Sequence, residues 1–398
     1  MTETTPHVEI RALQYRDLEP IEALAVQSCE LDPAHDCTTL NQQLENVRRW
    51  YGVLKFLSLF PNSHRHFFCA YVAEQNQRPL GMVQVSPFNN SQSTWRIDRV
   101  LLEEIAENAT LSPTEIGDRL LRHCFETIVE ARTWILEVNI EHERTLGLYR
   151  QNGFQPLAQL TYWELAPEQW QTLAERQPNL PNLLPVNNAD AKLLYQLDTV
   201  SMPPLLRQVF DRHVNDFKCS VLGKVRNHLD RWLGRGRNLQ GYIFEPQRKA
   251  AIGYFDVRVC RDGMQPHQVQ LTVHPAYTWL YPELISYIVN SVKDLPLQAL
   301  QLTSADYQPE REEYFEQVGA ERIEHTLLMS RSVWHKIRET KRLDARQLSE
   351  MLQGLQPRTP IPTRMSSLNS VLRAQKILDS GSRLKKESSP KPPQEPQT

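Results

Sequence analysis

The fold class this sequence predicts is α/β, with two similar domains in tandem followed by a disordered C-terminal tail. Three observations carry it. Strand-period and helix-period runs alternate through residues 8–165 in the order β, α, α, β, β, β, α, β, α, β. The same landmarks return in order through residues 183–330, and from Pro357 onward the composition shifts to Pro, Ser and Lys. The implied boundaries are 1–170 for the first domain, 171–182 for a linker, 183–345 for the second domain and 346–398 for a helical remnant and tail.

Taken in order, Val8 to Ala12 reads as a short strand, and Arg16-Asp17 opens an amphipathic helix with Ile21, Leu24, Ala25 and Cys29 on its apolar side. A second helix is expected from Thr38 to Phe60, with Leu40, Leu44, Val47, Tyr51, Leu54 and Leu57 at helical spacing, stopped by Pro61-Asn62. Strand-like runs follow at His66 to Glu74, Pro79 to Ser86 and Thr94 to Leu102, the first two joined by the hairpin-sized Gln75-Asn76-Gln77. A helix from Pro113 to Ala131 starts with Pro where a missing N–H costs nothing. Trp134 to Val138 is a buried strand, and a short helix after it ends at Gly153, since only Gly enters the left-handed conformation cheaply.

In the second half, Leu183 to Asn187 and Asp190 echo Ile10 and Asp17, and Ile252-Gly253 echoes Leu80-Gly81. His267 to Val273 echoes the strand ending at Leu102, and Leu300 to Thr303 with Pro309 to Gly319 echoes Trp134 to Gly153. Trp170 and Trp334 each follow a strand by several residues. A period of roughly 170 residues is too long for a solenoid and fits domain duplication. The tail, with RTPIPTRM and SSPKPPQEPQT, cannot bury a core. Within it, Ser367 to Asp379 could form a modestly basic amphipathic helix, a candidate docking segment for a protein partner.

Composition excludes several classes. Charged residues make up 23% and hydrophobic ones 40%, and a net charge of −2 gives no global attraction to nucleic acid or acidic membranes. The basic stretch Arg207 to Arg237 reads as a helical pair whose charged face is in water. Six cysteines lie scattered, without CxxC pairs or zinc-like spacing, as reduced thiols do. No run reaches the roughly 20 apolar residues a membrane span needs, and MTETTPHVEI is no secretory signal, so a cytoplasmic protein is expected.

Trp134 to Phe154, WILEVNIEHERTLGLYRQNGF, carries the most pointed signal: a strand, a helix bearing Leu148-Tyr149, then Gly153-Phe154 at the restart. This segment resembles the last conserved segment of the GNAT (GCN5-related) N-acetyltransferase superfamily, and the element order over residues 8–165 is similar to that family's. The resemblance implies a mixed, mostly antiparallel central sheet flanked by helices in each domain. It also implies acetyl-CoA as cofactor, direct transfer of its acetyl group to an amine, and a helix Tyr, here Tyr149, that protonates the leaving thiolate. The acceptor would be a small-molecule amine or a protein or peptide amine.

Such chemistry asks for a splayed strand whose free backbone groups hold the pantetheine arm, which the resemblance places at Val100, Leu101 and Leu102. It asks also for a helix N-terminus that cradles the pyrophosphate, here Ser112, Ile116, Gly117 and Asp118. His142 occupies a position where the family commonly carries a cofactor-contacting Asn. The family's phosphate loop reads Arg/Gln-x-x-Gly-x-Gly/Ala; this chain retains Gly117 but has Ser112 at the first position and Glu115 at the middle glycine. A first-turn carboxylate stabilises the helix yet competes with a phosphate for the same N–H groups, and the preceding connection, Glu103 to Asn108, is acidic. In the second half, His274 to Glu283 offers no glycine and Phe315 stands at the Tyr149 position, which points to a copy without CoA. Asp98, Glu137 and Glu103 are the carboxylates available as general base. The alternative to an enzyme is a duplicated scaffold serving as an interaction or sensing module. A weaker one is an RNA- or ribosome-associated factor acting through Arg207 to Arg237.

Overall fold

Among the described residues twelve strands form a single sheet whose order is a near-palindrome: β1-β2-β3-β4-β5-β12-β6-β11-β10-β9-β8-β7. The computed structural model describes residues 8–31, 69–103, 111–218, 237–260 and 265–333. The first half supplies β1 (Glu9–Ala12), α1 (Leu18–Leu31), β2 (Cys69–Gln75), β3 (Arg78–Pro87), β4 (Thr94–Leu102), α2 (Pro113–Thr127), β5 (Thr133–Asn139), α3 (Glu143–Gln151) and β6 (Gln155–Leu165). After α4 (Pro167–Glu175), the second half supplies β7 (Leu183–Pro185), α5 (Ala191–Ser201), α6 (Pro204–Phe210), β8 (Arg237–Glu245), β9 (Ala250–Val259), β10 (His267–Val273), α7 (Leu280–Val292), β11 (Leu300–Ala305), α8 (Pro309–Gln317) and β12 (Glu321–Ser332). The expected helix Thr38 to Phe60, residues 219–236 of the basic stretch, Trp334 and the tail lie outside the described residues.

The palindrome arises because each half gives its last strand to the other. Among the described residues β6 pairs with β12 and β11, and β12 with β5 and β6, all antiparallel. The cores follow the exchange. Leu327 and Met329 of β12 pack with Trp95, Trp134, Leu136 and Val138 under α2 and α3. Trp163 and Leu165 of β6, with Trp170 of α4, pack with Phe255, Val257 and Leu284 in the second core. The chain after α4 is held to α7, because Glu283 receives the Arg176 guanidinium and the Asn179 N–H at 2.6 Å.

Duplication is visible in local geometry as well as in strand order. Asp17 and Asp190 each accept the N–H three residues upstream, from Gln14 at 2.7 Å and Asn187 at 2.9 Å, opening a short 3-10 turn before α1 and α5. Gly153 and Gly319 both sit at φ +79, ending α3 and α8. Burial and hydrogen bonding act oppositely on Asp17. Desolvation would raise its pKa, but the Arg11 guanidinium (2.6 and 2.8 Å) and the Gln14 N–H outweigh it and hold the carboxyl below its usual 3.8. A lowered folded-state value means stability present above about pH 3.8 and lost as pH falls through the folded value. Asp17→Asn should cost about 2 kcal/mol at neutral pH and flatten the acid limb of the melting temperature against pH; an unchanged limb would clear this pair of that role.

Two expectations are corrected. The helix from Pro113 ends at Thr127, not Ala131, because Ile128 leaves helical geometry (φ −97, ψ 81). Within the basic stretch, Arg212 is not on a solvated face: its guanidinium lies 5.1 Å from the Phe88 ring and 5.3 Å from the Phe210 ring and pairs with buried Asp198 at 2.8 Å. Here the β3–β4 turn closes the C-terminus of α6. Thr94 donates to the Val209 carbonyl (2.8 Å), and Asn89 donates to those of Phe210 and Asp211 (3.2 and 3.0 Å). Asp211 takes the left-handed cap conformation, φ 45. No helix among the described residues is long and apolar enough to cross a membrane.

Candidate active site

β5 is apolar on both faces (Trp134, Ile135, Leu136, Val138), as a central strand requires. It runs parallel to β4 only from Thr94↔Thr133 to Ile97↔Leu136. Beyond that point the strands part. The cause is one residue: β4 pairs Ile97 with Val85 and Arg99 with Gln84, leaving Asp98 as an extra residue, a bulge. A bulge bends its strand and sharpens the twist, so β4 stays with β3 as far as Leu102↔Gly81 while β5 follows β12 to Asn139↔Thr326. A V-shaped gap is left between Asp98–Leu102 and Glu137–Asn139, with no β4–β5 pairing across it.

The three strand residues expected to line this gap are split by the pleat. Val100 and Leu102 lie toward the core under α2 and α3, and Leu101 packs with Leu18, Ile21 and Met82 under α1. Gly81 lets β3 lie close behind them: a Cβ there would come within 2.9 Å of the Leu101 carbonyl oxygen.

The N-terminus of α2 is already capped from within. Ser112 Oγ accepts the Glu115 N–H at 3.3 Å, and the Glu115 carboxylate turns back to accept the Ser112 N–H at 2.8 Å and its hydroxyl at 3.0 Å. This is a reciprocal capping box. Those hydrogen bonds, backbone first, hold Glu115 below the usual carboxylate range. Pro113 has no N–H, and the Ile116 N–H is taken by the Ser112 carbonyl at 3.0 Å. Glu115 thus sits where an anion would be received. Ile116 is buried in the core, and Asp118 pairs with Arg122 along the helix at 3.1 Å. Gly117 has a packing role: a Cβ there would meet Leu148 Cδ2 at 2.8 Å and Leu102 Cδ1 at 3.2 Å, so its absence lets α2 close onto α3 beside the gap.

α3 starts at His142, whose carbonyl accepts the Leu146 N–H at 2.9 Å. Tyr149 is buried in the first core and meets the Phe154 ring edge-on at 5.8 Å. Its hydroxyl makes no hydrogen bond among the described residues, and burial pushes its pKa up. It stays a phenol and can donate.

The carboxylates separate clearly. Asp98 pairs with Arg96 at 2.6 Å, and buried Glu103 pairs with Arg78. Glu137 lies on the sheet face opposite Trp134, Leu136 and Val138, and so opposite Tyr149. Its Oε1 accepts the Tyr162 hydroxyl at 2.6 Å and the Thr326 hydroxyl at 2.5 Å. Burial, then Glu137, raises the Tyr162 pKa, keeping it a donor. Sequence reasoning missed Tyr162 and Thr326. The alternation in TYWEL could have put Tyr162 on this face, but nothing local brings β12, with Thr326, beside β5.

In the second half, Phe315 replaces Tyr149 and packs edge-on against Trp163 at 5.9 Å. His274 caps a 3-10 turn by accepting the Ala276 N–H at 3.1 Å, and Leu280, Tyr281 and Leu284 of α7 are buried.

No family model matches the chain, and no curated protein matches it in sequence. Solved structures do match. A GCN5-related N-acetyltransferase from Sphaerobacter thermophilus aligns with 82% of this chain and 95% of its own at 12% identity, TM-score 0.50. A tandem GNAT protein from the clavulanic acid biosynthesis pathway aligns with 82% of this chain and 98% of its own at 14% identity, TM-score 0.50. The chain has the GNAT superfamily fold.

Proposed function

We propose that the first half is an acyltransferase that moves the acetyl group of acetyl-CoA to an amine. The acceptor is a small molecule or a peptide. The observation that carries this reading is the β4–β5 gap opened by the Asp98 bulge, with Tyr149 on one side of the sheet and Glu137 on the other. The backbone of Arg99 to Leu102 holds the pantetheine arm by strand-like hydrogen bonds. An amine approaching from the Glu137 face forms the new N–C bond as the C–S bond breaks. Glu137, oriented by Tyr162 and Thr326, takes the amine proton, and Tyr149 donates a hydrogen bond to the departing thiolate.

The pyrophosphate meets a cost at α2. Ser112, Ile116, Gly117 and Asp118 form the helix entry, and receiving an anion there requires Glu115 to release Ser112. The lost cap and a like charge beside the phosphate both oppose binding. Together they weaken affinity and do not abolish binding. Glu115→Ala is therefore expected to tighten acetyl-CoA about tenfold, read by isothermal titration.

The Ser112–Glu115 box favours a second reading, a scaffold that has lost its cofactor. Titrating the full chain with acetyl-CoA separates the two. Saturable binding supports the enzyme; no heat at millimolar acetyl-CoA, in wild type and Glu115→Ala alike, leaves only the scaffold.

A further inference from the structure

The second half also has a gap between strands, but a side chain fills it. β10 and β11 run parallel only at His267↔Leu300 and Gln268↔Gln301 before parting. Arg311, in the first turn of α8, reaches into the opening. It donates from one terminal nitrogen to the Leu271 carbonyl of β10 at 3.0 Å and from the other to the Thr303 carbonyl of β11 at 3.3 Å. The Tyr281 ring of α7 lies 5.4 Å from the guanidinium.

This placement is costly on three counts. Arg311 is 6% exposed and forms no ion pair among the described residues. Its Nε is buried without a partner. A cation in the first turn also opposes the helix dipole. The first half shows that the fold does not need it: the position equally far before Gly153 is Thr145, too short to reach across. A planar fork holds its N–H groups at a fixed spread, suited to two carbonyls on diverging strands, where an ammonium is a compact point charge.

We propose that Arg311 is the built-in occupant of the second gap, bridging the backbone groups that a bound amide-bearing arm would otherwise engage, so that the second half is permanently closed to such a ligand. The chain then takes up at most one acetyl-CoA, a corollary that rests on the function proposed above.

The test uses the full chain. In arginine-labelled wild type, the terminal guanidinium protons of Arg311 should exchange slowly and give separately resolved NMR signals, assigned by their loss in Arg311→Lys. Arg311→Met, which keeps the volume but has no donors, should lower Tm by roughly 5–10 °C. Arg311→Ala should fall similarly and recover in millimolar ethylguanidinium, which leaves wild type unchanged. Fast, averaged guanidinium signals in wild type would overturn the proposal without any variant having to fold. So would an unchanged Tm in Arg311→Met, or a second bound equivalent of acetyl-CoA. Failure of the wild type to bind acetyl-CoA at all would sink the enzyme reading and leave the exchange and rescue results to judge Arg311.

Discussion

Residues 1–177 produced alone will not give a folded monomer. β6 has β12 on one side and β11 on the other, and both belong to the second half. Without them, β6 loses every ladder partner, and β5 is left as an apolar edge where β12 should lie. The first core also loses Leu327 and Met329, and the buried Trp163, Leu165 and Trp170 are exposed. Each fully buried large side chain contributes about 1.5–3 kcal/mol, so these three alone are comparable to the whole stability of an ordinary domain, about 5–15 kcal/mol. The fragment is expected to aggregate or to pair with a second copy through β6. Sedimentation and thermal melts check this, and co-production with residues 178–398 should restore a cooperative melt. A monomeric fragment melting cooperatively on its own would show that the strand exchange is dispensable.

Tyr149→Phe should separate chemistry from stability. The hydroxyl makes no hydrogen bond among the described residues, so deleting it leaves no partner stranded; the ring, with its contact to Phe154, is kept. Tm should stay the same or rise slightly. Positioned proton donors contribute typically 10²–10⁴-fold. Turnover should fall about 100-fold, the low end of that range, with acetyl-CoA affinity little changed. Thiol release from acetyl-CoA, in the presence of an amine acceptor or with water as a slow one, measures it. Equal losses in Tm and turnover would make Tyr149 a packing residue.

How much of this was legible in the sequence differs from element to element. β5 was, because four apolar residues in five, bounded by a polar break, fit a short strand buried on both faces. Gly153 was, because a glycine just past a helical run is the usual stop, and it takes the left-handed φ of +79 that such a stop uses. The strand exchange was not: the apolar alternation of β6 and β12 is satisfied by any antiparallel neighbour, and nothing local specifies which. Glu115 was half legible. Ser-x-x-Glu is a capping-box signature, but only the structure shows the carboxylate turned back onto Ser112. Arg311 was hidden, since PEREEYFEQ reads as a solvated charged helix and the residue that goes inward is the one that composition would place in water.

Hydrogen exchange with and without acetyl-CoA tests most directly whether the gap opened by the Asp98 bulge receives a donor arm. The amides of β4 from Asp98 to Leu102 should gain protection when acetyl-CoA is bound, while those of β10 from Val269 to Val273 do not change. Equal protection at both gaps, or bound acetyl-CoA that leaves Asp98 to Leu102 unprotected, would contradict it.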